Sequence, residues 1–439
     1  MLGIIYFIEE YIPASYCADI FNQSVLSNKW PTLAFSENTI NEFLKDVGRA
    51  GLFCELYSQS LISSSSGLTA IDGHVIVSSS KQNELAEYGY KYHELNDKQI
   101  NVMGAYDAEN QRQLISKAMA GSLPDRLSVK ELFDAYRFKN KTFLCDSGFY
   151  SEVNIGLFRQ DENHYVMPVP DTNCISRMIR SGMTFEDSFV YEHSEDDGTT
   201  TMRTILYKEC SVAELEASDD EHKRQVAKER TEQAKAEAKE GQKPKKYYPQ
   251  YNQKSEWGDD RVIMYRDKVM HDRLVYDYRI QIGRDKNHTE EDFAKKEPGF
   301  GVIVLRTNWP KEKADAKQVY LWYKRRWTIE THYNFVANIV KYDGLQTQDY
   351  YSMQGLGFLI LIVGQIKADY LKKLRNGEGA YVRNMSIKES LVKAGFVKIA
   401  MHQDKRWYVS IMNAKVLDLL TTMGVSIESD IEKMNNKTF

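Results

Sequence analysis

The stretch "KTFLCDSGFYSEVNIGLF", Lys141–Phe158, carries the pattern that decides the fold class. Its apolar start is typical of a short buried strand, and the apolar run stops at Asp146. Gly148 favours a turn after the aspartate, and Ser151 is a residue type that caps helix N-termini. We therefore predict a strand that ends at an aspartate, then a turn, then a helix that begins after Ser151, as in α/β proteins.

Neighbouring segments extend this pattern into a mixed α/β core. Segments 68–80 and 99–111 are rich in β-branched residues and each predicts a strand, and "NHYVMPVP" at 163–170 predicts another. Between them, Ser128 and the glutamate three residues later have the spacing of a capping box, which predicts a helix starting near Val129. The predicted order is strand, strand, helix, strand, helix, strand.

The composition changes between residues 171 and 298. The pieces "MRTILYKEC" (202–210) and "RLVYDYRIQIG" (273–283) predict strands. Between them, 219–246 is rich in Ala, Lys, Glu and Gln, which predicts an exposed helix. Because a buried strand follows at 299–309, we interpret 171–298 as a β-rich insertion into the core.

The two ends of the chain read as mainly helical. Ser36 precedes an amphipathic stripe that predicts a helix ending at Gly48, within a helical region 1–64. The C-terminal part predicts two or three helices and a late strand at 404–412.

Bulk composition excludes several protein classes. The chain has 439 residues, of which 42% are hydrophobic and 27% charged, a globular balance that suggests two or three structural units. The longest apolar run, 356–364, is far shorter than the roughly 20 residues needed to span a bilayer, and the N-terminus lacks the basic region of a signal peptide. The five cysteines are scattered without metal-ligand spacing, so we expect free thiols in a cytoplasmic protein. The net charge of -4 gives no global support to nucleic-acid binding, so such a surface must be local.

Three acids lie in distinctive sequence settings. Asp72 lies inside a β-branched strand, Asp146 lies at a strand end beside a glycine turn, and Glu330 lies on a predicted long helix, Val319–Lys341. An acid inside a strand costs desolvation unless it is paired or binds a metal. The alternative for Asp72 is an edge-exposed or hydrogen-bonded carboxylate, and glutamate is a common helix former in any case.

One face of the predicted helix gathers polar and amphipathic groups around Glu330. At about 100° per residue, this face holds Tyr323, Arg326, Glu330, Asn334 and Lys341. The alternative interpretation is an amphipathic helix with a solvated face. A tyrosine and an arginine beside the glutamate are less typical of such a face than plain Glu/Lys pairs.

Four segments together resemble the DDE transposases of prokaryotic insertion sequences, in the insertion-sequence-four-like branch with the Tyr-Arg-Glu-Lys signature. They are "AIDGHVI" (70–76), "FLCDSGFYSEVNI" (143–155), "GFGVIVLRTNW" (299–309) and "YKRRWTIE" (323–330). The resemblance covers about residues 30 to 420. The signature's lysine position is Ala337 here, and the nearest base on the same face is Lys341.

The resemblance implies an RNase H-like mixed-sheet catalytic core interrupted by a β-rich insertion. Its catalytic and metal-binding acids would be Asp72, Asp146 and Glu330. Carboxylate oxygens suit Mg²⁺ or Mn²⁺, and two such ions can support in-line displacement at phosphorus. The implied layout is a helical N-terminal region that could bind DNA ends (1–64), the first part of the core (65–170), the insertion (171–298), the second part of the core with the glutamate helix (299–385) and a C-terminal region (386–439).

The implied partner is double-stranded DNA, as transposon terminal inverted repeats and as target, with a dimer in the synaptic complex and no membrane. The expected location is the cytoplasm, on the nucleoid when DNA is bound. Phosphate contacts are expected from Tyr323, Lys324, Arg325, Arg326 and Lys341. A structural salt bridge is the alternative for Arg326. Further candidate contacts to DNA, each with a plain loop or core role as its alternative, are Lys243–Tyr251, Trp257 and Trp309.

Three activities remain open at this point. The first is an active transposase that cleaves transposon ends and transfers strands into target DNA. The second is a catalytically impaired relative that only binds transposon ends, which Ala337 at the signature position favours. The third is a structure-specific nuclease on the same core, which would cleave without regard to end sequence.

Overall fold

The computed structural model describes residues 1–8, 14–78, 80–89, 97–181, 184–194, 199–237, 243, 245–338, 349–410 and 412–436. The chain divides into two compact units. The first unit comprises Met1–Ser66, Gly73–Leu123 and Thr328–Phe439, and the second comprises Gly67–Asp72 and Pro124–Trp327.

Helices form most of the first unit and alternate with strands in the second. In chain order they are α1 (Leu2–Ile8), α2 (Ala14–Gln23), α3 (Val25–Lys29), α4 (Glu37–Arg49), α5 (Gly51–Ser64), α6 (Asp125–Ala135), α7 (Glu152–Phe158), α8 (Cys174–Arg180), α9 (Val212–Glu237), α10 (Lys268–Gln281), α11 (Glu290–Lys296), α12 (Ala316–Arg325), α13 (Trp327–Asn338), α14 (Tyr350–Arg375), α15 (Ala380–Arg383), α16 (Ile387–Gly395), α17 (Ala414–Thr422) and α18 (Ile427–Asn435).

The strands are β1 (Leu68–Val77), β2 (Glu87–Tyr88), β3 (Lys98–Asp107), β4 (Arg112–Ala120), β5 (Thr142–Leu144), β6 (His164–Pro168), β7 (Asp187–Ser194), β8 (Thr200–Ser211), β9 (Arg261–Asp267), β10 (Val302–Thr307), β11 (Ile399–Met401) and β12 (Trp407–Val409).

The second unit is built on a mixed sheet in the order β1, β5, β6, β10, β9, β8, β7. Its first three strands are parallel, with Leu68 opposite Thr142, and every later pair is antiparallel. Parallel neighbouring strands need a crossover connection. Helix α7 lies in the connection between β5 and β6, and α6 immediately precedes β5. The prediction of a mixed α/β core is therefore confirmed. Strands β7, β8 and β9 come from the 171–298 segment. They extend the sheet at the edge away from β1, where β9 pairs with β10.

The first unit packs a helical layer against the antiparallel β3–β4 hairpin. The α4 and α14 helices approach closely at two glycines. A Cβ on Gly355 would lie 1.8 Å from the Leu44 carbonyl oxygen, and one on Gly48 would lie 1.8 Å from that of Tyr351. Only glycine permits this backbone contact, which brings the apolar faces of both helices into one core.

Several local predictions are confirmed. Ser151 caps α7, since its side chain accepts a hydrogen bond from the Asn154 N–H at 3.1 Å. Ser36 caps α4 in the same way. The charged segment 219–246 contributes to the largely exposed helix α9, and the apolar run 356–364 lies within the buried part of α14.

Two other predictions about the second unit are wrong. The helix predicted near Val129 begins earlier, at Asp125, because Pro124 ends the preceding extended backbone there. The segment 273–283 lies mostly in helix α10, since the Asp267 carboxylate caps its first turn.

The single helix predicted from Val319 to Lys341 is two helices. Helix α12 ends at Arg325, and α13 begins at Trp327. Arg326 keeps helical torsions (φ -52°, ψ -35°), and neither glycine nor proline lies at the junction, so the local sequence carries no signal for this break. Lys341 lies outside the described residues.

All five cysteines lie in the described residues, and all are free thiols, as predicted. Within the part of the chain that the structure describes, no helix combines the length and apolarity required to cross a bilayer.

Candidate active site

The parallel pairing of β1 with β5 brings two of the three predicted acids to one place in the second unit. Ala70 pairs with Leu144, the last residue of β5, and Asp72 and Asp146 each follow two residues later along their chain segments. Adjacent strands lie about 4.8 Å apart, and side chains two residues apart on a strand share a face. Asp72, in the middle of β1, and Asp146, just past the end of β5, therefore lie in the same region of the second unit, Asp72 half-buried and Asp146 exposed.

The turn after Asp146 is held by its own side chains. The Asp146 carboxylate accepts a hydrogen bond from the Ser147 N–H at 2.7 Å. The Asn154 amide donates to the Phe149 carbonyl oxygen at 2.9 Å, which ties the start of α7 back to this turn. A Cβ on Gly148 would meet nothing within 4 Å, so this glycine leaves open space beside the carboxylate.

The pKa of the Cys145 thiol, directly before Asp146, is shifted by the charges around these aspartates. Its thiol is buried, and burial raises its pKa well above the usual value. The negative charges of Asp72 and Asp146 raise that pKa further, whereas the positive charge of Arg326 opposes them. Asp72, Asp146 and Arg326 therefore all lie within electrostatic range of one thiol.

The other predicted phosphate contacts have different surroundings. The Arg326 guanidinium lies 5.8 Å from the centroid of the Tyr323 ring, so these two side chains form one group. Lys324 interacts instead with charges at the end of β9. Desolvation lowers the pKa of Lys324, while Asp267 raises it and Arg203 lowers it. Arg325 is exposed on the last turn of α12.

Glu330 lies in the first turn of α13 and belongs to the first unit. The helix is held there by buried aromatic contacts. His332 Nε2 lies 3.0 Å from Gln113 Oε1, and the Tyr333 ring stacks on His74 at 5.1 Å. A Cβ on Gly104 would lie 2.3 Å from the Tyr333 hydroxyl, so a glycine is required beneath that ring. These contacts set the rotation of α13 and leave Glu330 half-buried.

The Asp72–Asp146 pair fits a divalent cation in its donor chemistry. Carboxylate oxygens are hard ligands of the type that Mg²⁺ and Mn²⁺ prefer. Among the residues that the structure describes, no group of three or more His, Cys, Asp or Glu side chains lies close enough to hold a metal ion. The second unit thus holds two carboxylates that both act on the Cys145 thiol, and Glu330 lies in the first unit.

A family model for the transposase DDE domain matches residues 63–362, which is more than half of the chain and includes Asp72, Asp146 and Glu330. The chain belongs to the DDE transposase family. A piggyBac transposase in a synaptic complex with hairpin DNA is structurally similar to this DDE transposase at a TM-score of 0.40. The two are 10% identical, over 90% of this chain and 69% of that one. The search of curated protein sequences found no match to this chain.

Sequence reasoning missed the polar network that supports the second unit of this transposase. The guanidinium of Arg306, on β10, is fully buried. It donates hydrogen bonds to Asp260 (2.9 Å), Tyr150 (2.9 Å), Glu152 (2.8 Å) and Ser255 (2.8 Å). Because Tyr150 and Glu152 follow the Asp146 turn, this network fixes that turn to β10. The signal in the sequence was an arginine inside an apolar strand, "VIVLRTNW", which burial makes costly unless it is paired.

The tryptophans proposed as base-stacking candidates are anchored in the protein. The Trp309 ring stacks on His164 with centroids 3.7 Å apart, and its Nε1–H donates to Thr142 Oγ1 at 3.2 Å. The Arg159 guanidinium lies 4.5 Å from the Trp257 ring centroid. These contacts agree with the alternative stated for Trp257 and Trp309, a core or loop-anchoring role. In the segment Lys243–Tyr251, the side chain of Tyr248 is 76% exposed, which leaves its ring open to a ligand.

Proposed function

We propose that this DDE transposase cleaves DNA strands at the ends of a mobile element and joins the freed 3′-hydroxyl to target DNA. The parallel pairing of β1 with β5, together with the charges of both Asp72 and Asp146 acting on the Cys145 thiol, carries this proposal. In an open α/β sheet, ligands commonly bind just outside the carboxyl ends of the strands. Asp146 occupies such a position, directly after β5.

We assign the metal-binding role to Asp72, Asp146 and Glu330, with two Mg²⁺ or Mn²⁺ ions. When bound, such ions supply Lewis-acid activation of a water or 3′-hydroxyl and stabilise the leaving oxygen. The aspartates act as oxygen donors and need no proton-transfer role. Adjacent like charges on Asp72 and Asp146 repel each other, and a bound cation relieves that repulsion.

Arg326 is assigned to a phosphate group of the DNA. Its planar guanidinium can bind two phosphate oxygens at once, and its charge already offsets the aspartates at Cys145. Tyr323 supports it through the ring contact described above. Lys324, Arg325 and Lys341 are proposed as further contacts to the backbone, which position DNA without reading its sequence.

The proposed layout is an RNase H-like core interrupted by an insertion at 171–298, with the helical region 1–64 as a candidate for binding DNA ends and 386–439 as the C-terminal region. The Tyr323, Arg326 and Glu330 spacing supports the insertion-sequence-four-like branch. Two ends must be held together during transposition, so we propose a dimer on DNA, acting at the nucleoid.

The alternative is a catalytically impaired relative that binds transposon ends without cleaving them. Ala337 in place of the signature lysine favours it. The presence of all three acids favours the active enzyme, because a protein that only binds DNA does not require them.

The decisive experiment is a cleavage assay on duplex DNA that carries the inverted repeats flanking the reading frame, with Mg²⁺ or Mn²⁺. We expect the wild type to cut at the ends and Asp146→Asn to lose at least about 1000-fold in rate, since the exchange removes one anionic ligand. Asp146 is exposed, so the variant should keep the wild-type Tm.

A matched control is Asp161→Asn, an aspartate of the second unit in a turn after α7. It should cleave like the wild type. Equal cleavage by Asp146→Asn and the wild type would sink the active-site assignment. Binding without cleavage by the wild type would support the impaired relative, and equal cutting of random duplexes would support the nuclease.

A further inference from the structure

The first unit contains a cavity of about 1030 Å³ that the proposed chemistry does not use. Its walls come from the end of α5, the β3–β4 turn, α13, α14 and the start of α16. Apolar side chains line part of it, among them Leu61, Leu114, Phe335 and Leu371. This volume is in the range of sites for small organic ligands and exceeds what a lone inorganic ion requires.

Lys367 is a buried charge that faces this cavity. Its side chain is 6% exposed and lines the cavity wall from α14. It makes no hydrogen bond or ion pair with any described residue, and its ammonium lies 4.6 Å from the Phe335 ring centroid. Burial lowers its pKa to about 8. A cation–π contact offsets only part of this desolvation, so an anion in the cavity would stabilise the ammonium.

The rest of the cavity rim is also suited to an anion. The N-terminus of α16 reaches it through Ser386, Ile387 and Lys388. The first N–H groups of a helix lack intrahelical partners and favour negative charge. Ser386 Oγ accepts from the Glu389 N–H at 3.1 Å, so the N–H groups of Ile387 and Lys388 are the ones open to an anion. Lys388 and Lys372 line the rim and form no ion pair with the described residues.

The two acids that line the cavity, Asp107 and Glu109, are outnumbered by the lysines Lys367, Lys372 and Lys388. Asp107 already accepts hydrogen bonds from the Ser66 N–H at 2.7 Å, the Ser66 hydroxyl at 2.5 Å and the Asn110 side chain at 2.8 Å. Desolvation raises its pKa, but these hydrogen bonds lower it by more. Glu109 lies on the exposed turn. Arg112 is paired with Asp369, so the lysines carry the uncompensated charge.

We propose that this cavity binds a nucleotide, with the phosphate between Lys367 and the N-terminus of α16 and the base against the apolar wall. A phosphate is the anion that combines with helix N-termini and lysines. A base supplies a planar apolar face for Leu61 and Leu371, and the neutral polar side chains of Asn110 and Asn334 can meet its edge. The nucleotide can be free or can be one residue of a single DNA strand.

Isothermal titration calorimetry on the full chain at pH 7 tests this, with inorganic phosphate, dAMP and a short single-stranded oligonucleotide as probes. We expect dAMP to bind more tightly than phosphate. Lys367→Met should weaken dAMP binding by about tenfold or more, the loss typical of a charge-assisted contact. Lys388→Gln, an exposed change that leaves the core intact, should weaken it by a smaller factor.

Lys373→Met is the matched control, because Lys373 is exposed on α14 and does not line the cavity. It should bind dAMP like the wild type. Binding of the oligonucleotide without dAMP would support the site with a DNA strand as the source, and binding of both would support a free nucleotide. Undiminished binding by Lys367→Met and Lys388→Gln, or no binding of any probe by the wild type, would overturn the proposal.

This inference is separable from the proposed DNA cleavage. Asp146→Asn should bind dAMP normally while losing cleavage, whereas failure of the end-cleavage assay in the wild type would leave the calorimetric result untouched.

Discussion

Burial of Lys367 without a carboxylate partner is unfavourable at neutral pH. The pKa of this group is about 8 in the folded chain, against 10.5 for an unperturbed lysine. Between these two values the unfolded chain binds more protons than the folded chain, so stability rises as the pH rises from about 8 to about 10.5. Below pH 8 the full penalty applies, about 3 kcal/mol from the size of the shift.

We therefore expect Lys367→Met to stabilise the protein at pH 7 by up to about 3 kcal/mol, because it removes the charge and keeps the side-chain volume. The gain over the wild type should shrink to near zero by about pH 10.5. Urea unfolding of both proteins at pH 7 and pH 10.5 measures it, since other titrating groups cancel in the difference. A pH-independent difference would contradict the assigned desolvation of this lysine.

At the scale of elements, glycines decide how closely the helices of the first unit approach. Gly48 and Gly355 occupy the α4–α14 contact, where each backbone touches a carbonyl oxygen of the other helix. Propensity alone disfavours glycine within helices, by about 1 kcal/mol relative to alanine. Here the close contact and the apolar burial that it permits outweigh that cost.

Gly355→Ala should therefore destabilise the protein by about 1 to 3 kcal/mol, despite the better helix propensity of alanine. The new Cβ would collide with the Leu44 carbonyl oxygen, so α4 must shift. Gly51→Ala is the control, since a Cβ there meets nothing within 4 Å and should be neutral or slightly stabilising. Equal denaturant midpoints for the two variants would contradict the close-contact explanation.

Local signals explain which elements the sequence predicts well. The Ser151 cap, the short strand just before Asp146 and the exposed helix α9 each depend on residues within a few positions of one another. The errors have the same origin. Residues 273–283 alternate like a strand, yet the Asp267 cap starts a helix just before them.

At the scale of the whole molecule, the three acids are drawn from both compact units, with Asp72 and Asp146 in one and Glu330 in the other. The chain passes between the units within β1, between Asp72 and Gly73, so neither unit is a continuous segment. Metal binding by these acids can be measured on the intact chain without DNA.

We expect 10 mM Mn²⁺ to raise the Tm of the wild type. For a Kd of about 1 mM the ligand stabilises by about 1.4 kcal/mol, which corresponds to about 1 to 2 °C for a chain of this size. Asp72→Asn and Asp146→Asn should abolish the shift. If Glu330→Gln kept the full shift, Glu330 would be excluded as a ligand of the bound ion, and the aspartate pair alone would hold it.

The sequence by itself determined the mixed α/β class, the short strand and turn around Asp146, and membership of the DDE transposase family, because each depends on short-range patterning or on a motif. Tertiary structure alone decided the closeness of Asp72 and Asp146 to the Cys145 thiol, the buried Arg306 network, the break at Arg326 and the cavity around Lys367. These depend on contacts between residues far apart in the chain, such as Gln113 with His332. Local periodicity carries no information about which distant side chain will satisfy a buried charge.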